Sequence, residues 1–388
     1  MINTTPWGIL TGIRPAKIAT KHLLEDKSAT EVSKIFTDEY GCSPQKASLA
    51  VEVAEAEMPI RKNMYADGVS VYIGIPFCPT RCLYCSFVTC GTRQAAKLMD
   101  SYIECLEKEI SYTAQILKEN GDRIETLYIG GGTPTTLTPE LLDRLISHIY
   151  KEFDLEFLRE FTVEAGRPDT VTREKLNILK KHNISRISIN PQSMNEETLK
   201  IIGRNHTPQQ IIDAFYLARE CGFDNINMDV IAGLPGETLD MFKKTLEEVE
   251  QLSPENTTVH VMSIKRSSRL HEYLEDYQLP DEETVSQMVD FAYEFLKLKD
   301  KHPYYMYRQK NQLGNLENVG YSKKGYDNLY NVYIMEEIQS IISLGCGGVT
   351  KTVDKSTDRI ERIFNVKEPK DYIERIDEML SRKNELKK

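Results

Sequence analysis

The feature that most constrains this chain is a regular alternation of strand-like and helix-like segments between residues 69 and 262. Short runs rich in β-branched residues at 69–76, 125–129, 160–164, 186–190, 225–231 and 257–262 are separated by amphipathic stretches of helical spacing. The intervening helices are predicted at 94–117, 139–153, 172–181, 195–202, 208–220 and 239–250. Strands joined through helices run parallel, and a parallel sheet needs helices over its faces. Six such units predict an α/β fold, a partial (β/α)6 barrel of the TIM-like kind, which lacks only a clear final helix. Barrels of this kind keep their chemistry in the loops after the strand C-terminal ends.

The flanks read differently. Residues 1–66 carry Ile18, Leu23 and Leu24, then Val32, Ile35 and Phe36, then Leu49, Ala50 and Val53 at near-helical spacing, which predicts a helical N-terminal segment of two or three short helices. The core is expected over 67–265. A smaller α+β C-terminal lobe is expected over 266–388, with a helix near 281–300, strands at 304–309 and 329–335, and a helix from Pro369. The lysine-rich end, 382–388, reads as a solvated, fraying tail.

With 40% hydrophobic residues among 388, the chain has enough apolar material for a full core without staples. It contains no apolar run of about 18 residues, and its start lacks the basic and apolar regions of an export signal. The cytoplasm is therefore expected, and there the eight cysteines stay thiols. Cys42, Cys105 and Cys221 read as small core residues. A net charge of -10 argues against a nucleic-acid partner, because phosphate binding needs concentrated positive charge. Tyrosines gather late, at 304, 305, 307, 321, 326, 330 and 333. They read as packed strands with hydroxyls at the surface, or as rings on which a flat aromatic ligand lies.

The chemistry concentrates in Cys78-Pro79-Thr80-Arg81-Cys82-Leu83-Tyr84-Cys85, directly after the first strand. Three thiolates at this spacing can wrap one corner of a 4Fe-4S cubane and leave one iron open to an outside ligand. Zinc competes for such thiolates, but no histidine lies nearby and zinc sites usually come as two paired ligand sets. Gly130-Gly131-Gly132-Thr133-Pro134 ends the second strand, where the glycines let the backbone approach a ligand closely. Glu164 ends the third strand and suits two ribose hydroxyls. Gln192 follows the fourth strand, Arg204 lies in the next helical region and Asp229 lies in the fifth strand, so all three could face one cavity. Gly233-Leu234-Pro235-Gly236 makes a turn after the fifth strand.

The cysteine spacing, its place after the first of six strands and the glycine run resemble the radical S-adenosylmethionine superfamily. The resemblance implies an S-adenosyl-L-methionine whose amino and carboxylate groups chelate the open iron, and one-electron cleavage to a 5′-deoxyadenosyl radical. Cys78, Cys82 and Cys85 would be the metal ligands and the source of the radical. Tyr72-Ile73-Gly74-Ile75-Pro76-Phe77-Cys78, Gln192 and Asp229 resemble the oxygen-independent coproporphyrinogen III oxidase group. Lys265-Arg266-Ser267-Ser268-Arg269-Leu270, Tyr305-Met306-Tyr307-Arg308-Gln309-Lys310-Asn311 and the segment from Gly314 to Tyr321 are most similar to its coproporphyrinogen dehydrogenase (HemZ) branch. Members often carry a further region ahead of the Pro6-Trp7-Gly8 segment, so a short form is expected.

For that group the resemblance implies a step of anaerobic porphyrin and haem biosynthesis, the oxidative decarboxylation of two coproporphyrinogen III propionates to vinyls. Tyr72 and Gly131 would contact one S-adenosylmethionine. Tyr84, Gly132, Thr133, Gln192, Arg204 and Asp229 match positions that line a second. The implied partners are a tetrapyrrole and a reducing donor such as flavodoxin or ferredoxin, with no nucleic acid and no membrane span. A four-carboxylate substrate needs cations, and Lys265, Arg266, Arg269, Arg308 and Lys310 are the local candidates. Two positions depart from the oxidases. Phe87 stands where they carry a further cysteine, with Cys90 the nearest thiol, and Gly74 stands where they carry histidine. The haem chaperones of the same family also lack that cysteine, but a histidine-asparagine pair is expected of them where this chain has Glu317-Asn318. All seven histidines lie at or before His302, which favours an enzyme over a haem carrier. A haem-degrading radical methyltransferase is the third reading.

Overall fold

Residues ahead of the first strand fold as three helices, α1 (Pro15–Leu24), α2 (Ala29–Asp38) and α3 (Pro44–Lys62). Ser28 and Glu31 form a reciprocal capping box on α2, and the Ser43 hydroxyl accepts from the Lys46 amide on α3. The computed structural model describes residues 5–10, 14–87, 92–354, 357 and 359–387. Cys90 lies outside the described residues.

The strand-helix units then follow in order. The strands are β1 (Gly68–Ile75), β2 (Arg123–Gly131), β3 (Glu160–Glu164), β4 (Arg186–Ser188), β5 (Ile226–Ala232) and β6 (Asn256–Val261). Between them run α4 (Thr92–Asn120), α5 (Pro139–Glu152), α6 (Arg173–Lys181), α7 (Glu196–Ile201), α8 (Pro208–Glu220) and α9 (Leu239–Leu252). Threonines start four of these helices. Thr138, Thr172, Thr207 and Thr238 each accept a hydrogen bond from the amide three residues on, worth about 1 kcal/mol apiece. Such caps fix where each loop ends, and so fix the loops that carry the site.

β1 to β6 pair in parallel, each with the next, as the alternation predicts. Along β1, Val69, Val71, Ile73 and Ile75 are buried on one face. On the other face Ser70 accepts from the Thr126 hydroxyl at 2.7 Å, and Tyr72 stacks on Tyr128. The concave side of the sheet is thus polar and aromatic, and its convex side is aliphatic under the helices.

The C-terminal third lengthens the same sheet at both edges. β9 (Ser340–Leu344) runs parallel beside β1, followed outward by β10 (Val349–Asp354) and β11 (Arg359–Phe364). At the other edge β8 (Glu317–Lys323) lies antiparallel to β6, with β7 (Lys301–Arg308) outside it. After a single turn, α10 (Arg269–Glu272), the missing final helix appears as α11 (Glu282–Lys297), packed against α9, β5 and β6.

Three expectations are corrected here. Residues 329–335 form a helix, α12 (Leu329–Glu336), not a strand. Asn328 caps it, and the Glu160 carboxylate accepts from its Leu329 and Tyr330 amides at 2.9 and 3.2 Å, where a negative charge offsets the helix dipole. The late tyrosines do not hold their hydroxyls at the surface. Tyr304, Tyr305, Tyr321, Tyr330 and Tyr333 are buried, and Tyr330 stacks on Tyr128 with ring centroids 4.6 Å apart. Nor do residues 382–387 fray. The last helices, α13 (Pro369–Glu374) and α14 (Ile376–Lys383), return to the core, where fully buried Lys383 meets fully buried Glu109 at 3.3 Å and donates to the Ser343 carbonyl at 2.7 Å. No helix among the described residues is long and apolar enough to cross a membrane.

Candidate active site

The loops after β1 and β2 are tied together by their backbones. The Gly132 amide donates to the Ile75 carbonyl at 2.7 Å, and the Thr133 amide donates to the Phe77 carbonyl at 2.8 Å. Gly131 adopts φ 112°, open only to glycine at little cost, and a side chain there would meet the Ile75 backbone at 3.0 Å. A Cβ on Gly132 would stand 2.6 Å from the Phe77 oxygen and 3.0 Å from the Cys78 sulfur. The glycines therefore lay bare backbone against the cysteine loop.

Cys78, Cys82 and Cys85 line one cavity of about 140 Å³, together with Tyr84, Gly131, Gly132, Thr133, Glu164, Gln192 and Arg204. A second cavity of about 240 Å³ adjoins it, sharing Tyr84, Cys85 and Gln192, and holds Asp229, His260, Lys265 and Tyr307. Tyr72 lines neither. It stays within the barrel, stacked on Tyr128 and Tyr330 at 6.0 and 6.2 Å.

The electrostatics follow from burial. Burial pushes the Cys78 thiol up to about 11, against a 3.4 Å contact with the Thr133 hydroxyl, and it raises Cys85 as well. Such thiols ionise when a metal takes the place of the proton. Burial raises Glu164 to about 7, opposed by the Tyr128 hydroxyl and the Gly131 amide and reinforced by Asp229. Asp229 is lowered although burial works to raise it, because His260, Asn227 and Thr258 face its carboxylate. Arg204 is raised despite burial, because the Tyr84 hydroxyl and Cys82 thiol stand beside it, and its guanidinium donates to the Asn190 carbonyl.

Several groups await a partner. Gln192 holds φ 66°, an unusual conformation costing about 1–3 kcal/mol, kept by backbone bonds to Asp229 and Ile231. Its Oε1 and the Arg204 Nε are buried without a hydrogen-bond partner. Unpaired polar atoms of this kind cost about 1–3 kcal/mol each until a ligand completes them. Among the described residues no three His, Cys, Asp or Glu side chains converge to hold a single metal ion. Three thiols spread around one cavity suit a cubane, which takes one thiolate per iron, better than zinc, whose ligands all lie within about 2.3 Å of one point. The donor set, the bare glycine backbone and the orphaned polar atoms together fit a cluster bearing a polar nucleotide ligand.

Other candidates fall elsewhere. Lys265 faces the second cavity, while Arg266 and Arg269 are exposed outside it. Arg308 is structural: its guanidinium stands over the Trp7 ring and donates to the Leu10 and Asn315 carbonyls. Glu317 is fully buried, held by Lys46 at 2.7 Å and the Trp7 indole at 2.6 Å. Arg167, Asn190 and His260 are further residues of the site, outside the motifs that the sequence displays. Arg167 and Asn190 line the first cavity, and His260 projects into the second, its Nε2 3.7 Å from Asp229 and its Nδ1 3.3 Å from the Tyr307 hydroxyl. All three sit at or just beyond the C-terminal end of a core strand, the signal that would have found them.

Comparison with known proteins gives the family. The family model for the radical SAM superfamily matches residues 72–249. The oxygen-independent coproporphyrinogen-III oxidase-like protein HemZ of Bacillus subtilis is 45% identical over 377 residues, spanning 96% of this chain and 75% of that protein. The heme chaperone HemW of Lactococcus lactis is 31% identical over 267 residues, spanning 68% of this chain and 64% of that protein. Coproporphyrinogen III oxidase (HemN) from Escherichia coli, a solved structure, shares the fold with a TM-score of 0.64 at 23% identity, over 84% of this chain and 73% of that one. This chain belongs to the radical SAM superfamily, in its group of oxygen-independent coproporphyrinogen-III oxidase-like proteins, and its cofactors are a 4Fe-4S cluster and S-adenosyl-L-methionine.

Proposed function

We propose that this chain catalyses, in the cytoplasm, the oxidative decarboxylation of two coproporphyrinogen III propionates to vinyls, giving protoporphyrinogen IX. The observation that carries the reading is the second cavity, which opens beside the cysteine loop and is lined by Lys265, Asp229, His260 and Asn318, the Lys265 ammonium donating to the Gln309 side-chain oxygen. When bound, the cluster and S-adenosylmethionine would supply a 5′-deoxyadenosyl radical able to abstract a hydrogen from a propionate β-carbon; loss of carbon dioxide would then leave the vinyl group and one electron, which passes to a one-electron acceptor.

The chain's own residues do the rest. Cys78, Cys82 and Cys85 hold the cluster, and the backbone of Gly131, Gly132 and Thr133 receives the methionyl end. Glu164 accepts from the ribose hydroxyls, while Arg204 and Gln192 complete their hydrogen bonds on the nucleotide. Lys265, lowered by burial, regains its ordinary value beside an incoming propionate carboxylate. Asp229, kept ionised by its neighbours, accepts from the pyrrole N–H groups, and Tyr307 walls the cavity against water. A flavodoxin or ferredoxin provides the electron.

Haem carriage is the second reading, favoured by the relatives named heme chaperones and by the imidazole of His260 in the cavity. Both ring nitrogens of His260 already face partners, so binding haem iron requires giving one up. Anaerobic protein supplied with a reductant, S-adenosylmethionine and coproporphyrinogen III is expected to yield successive losses of carbon dioxide and two hydrogens by mass spectrometry. Unchanged substrate together with stoichiometric haem binding overturns the proposal in favour of a carrier. S-adenosylhomocysteine with an altered tetrapyrrole overturns it in favour of a methyltransferase.

A further inference from the structure

The outer face of the cysteine loop is braced by a neighbouring segment. The Arg81 guanidinium donates to the Ser267 carbonyl at 2.6 Å, and the Ser267 hydroxyl donates to the Ser86 carbonyl at 3.2 Å. The Leu270 amide donates to the Leu83 carbonyl at 2.9 Å, and the Leu83 amide to the Ile202 carbonyl at 3.0 Å. Residues 267–270 and the end of α7 therefore flank the loop that bears Cys82 and Cys85. The chain of contacts Cys85, Ser86, Ser267 runs from a cluster ligand to the surface in three residues.

The surface so formed differs from the rest of the molecule. Arg81, which also lines the first cavity, Arg266 and Arg269 are exposed, and none forms an ion pair among the described residues. Phe87, which also lines the second cavity, is 60% exposed, and Ile201, at the end of α7 beside the loop, is 40% exposed. On a chain of net charge -10, three guanidiniums without a carboxylate partner among the described residues, with exposed apolar residues nearby, make a local cationic patch.

We propose that this patch is the docking site for an acidic one-electron carrier protein, which reduces the cluster from outside while substrate occupies the cavity within. The proposal rests on the family reading that a cluster sits on the three cysteines, and it does not depend on a tetrapyrrole substrate. In the step itself no bond forms or breaks: the carrier loses one electron and the cluster gains one. Outer-sphere transfer falls steeply with distance, and a carrier seated over exposed Ser267 is linked to the cluster ligand Cys85 through Ser86 alone. Complementary charge raises the encounter rate and makes it sensitive to salt.

The test uses reduced flavodoxin, the acidic carrier, and photoreduced deazariboflavin, a small neutral reductant. Wild type, Arg266→Glu/Arg269→Glu and Arg266→Lys/Arg269→Lys are compared by flavodoxin affinity and by the rate of cluster bleaching. Charge reversal is expected to weaken binding and slow reduction by flavodoxin about ten-fold or more at low salt, and to flatten the salt dependence. The lysine variant keeps most of both, and deazariboflavin reduces all three proteins at one rate. A flavodoxin rate indifferent to charge reversal overturns the proposal, as does a deazariboflavin rate that falls in parallel. Absence of decarboxylation would leave these measurements unchanged, so the two proposals fail separately.

Discussion

The Tyr128 hydroxyl donates a 2.7 Å hydrogen bond to the Glu164 carboxylate across the C-terminal ends of β2 and β3. That carboxyl stands at about 7 instead of its ordinary 4.5, first because it is buried and further because Asp229 is near. As a carboxylate it accepts from ribose hydroxyls, and once protonated it loses most of that capacity. Affinity for S-adenosylmethionine is therefore expected to fall as pH drops through about 7, and Glu164→Gln should flatten the profile. The stability contribution of the same group has the opposite sense. Because its folded value is raised, the native state binds the proton more tightly, so this contribution is complete below about 4.5 and lost as pH rises through about 7. Binding titrations and denaturation across that window check both signs.

Gly132→Ala is expected to disable the site without unfolding the barrel. The new methyl would press within 2.6 Å of the Phe77 oxygen and 3.0 Å of the Cys78 sulfur. Displacing a reacting centre by about 1 Å costs on the order of a hundred-fold in rate. Iron content and 5′-deoxyadenosine formation should fall together while the circular dichroism spectrum stays native.

Much of the core is legible in the sequence because period-two strands fix which residues share a face. Gly131 and Glu164 end β2 and β3, and Cys78 and Gln192 lie in the loops after β1 and β4, so all four come to the same side of the parallel sheet and line one cavity. His260 obeys the same rule, but its neighbours Asp229 and Tyr307 lie on other strands, so its setting emerges only from the assembled sheet. Residues 329–336 are apolar and aromatic on nearly every side, so no period distinguishes helix from strand there. Only the tertiary contacts of Asn328 and Glu160 decide it. Lys383 looked solvated because its partner, Glu109, lies far upstream on α4.

Lys265→Ala should raise the KM for coproporphyrinogen III about ten-fold, the loss expected of one charged hydrogen bond, with S-adenosylmethionine affinity held. Steady-state kinetics beside equilibrium titration separate the two. An unchanged KM would remove Lys265 from substrate recognition.

Lys383→Met is expected to destabilise the fold by about 3–5 kcal/mol, because it strands a fully buried Glu109 charge. Tyr372 and Asn365 still donate to that carboxylate, at 2.5 and 2.7 Å, and cannot neutralise it. Adding Glu109→Gln should restore part of the loss in a urea denaturation series.

Electron paramagnetic resonance of the anaerobically reconstituted, reduced protein, with and without S-adenosylmethionine, tests the open iron most directly. The account predicts a 4Fe-4S signal that shifts when the nucleotide is added and is absent in Cys82→Ala. A signal indifferent to the nucleotide, or reconstituted protein that holds only zinc, would contradict it.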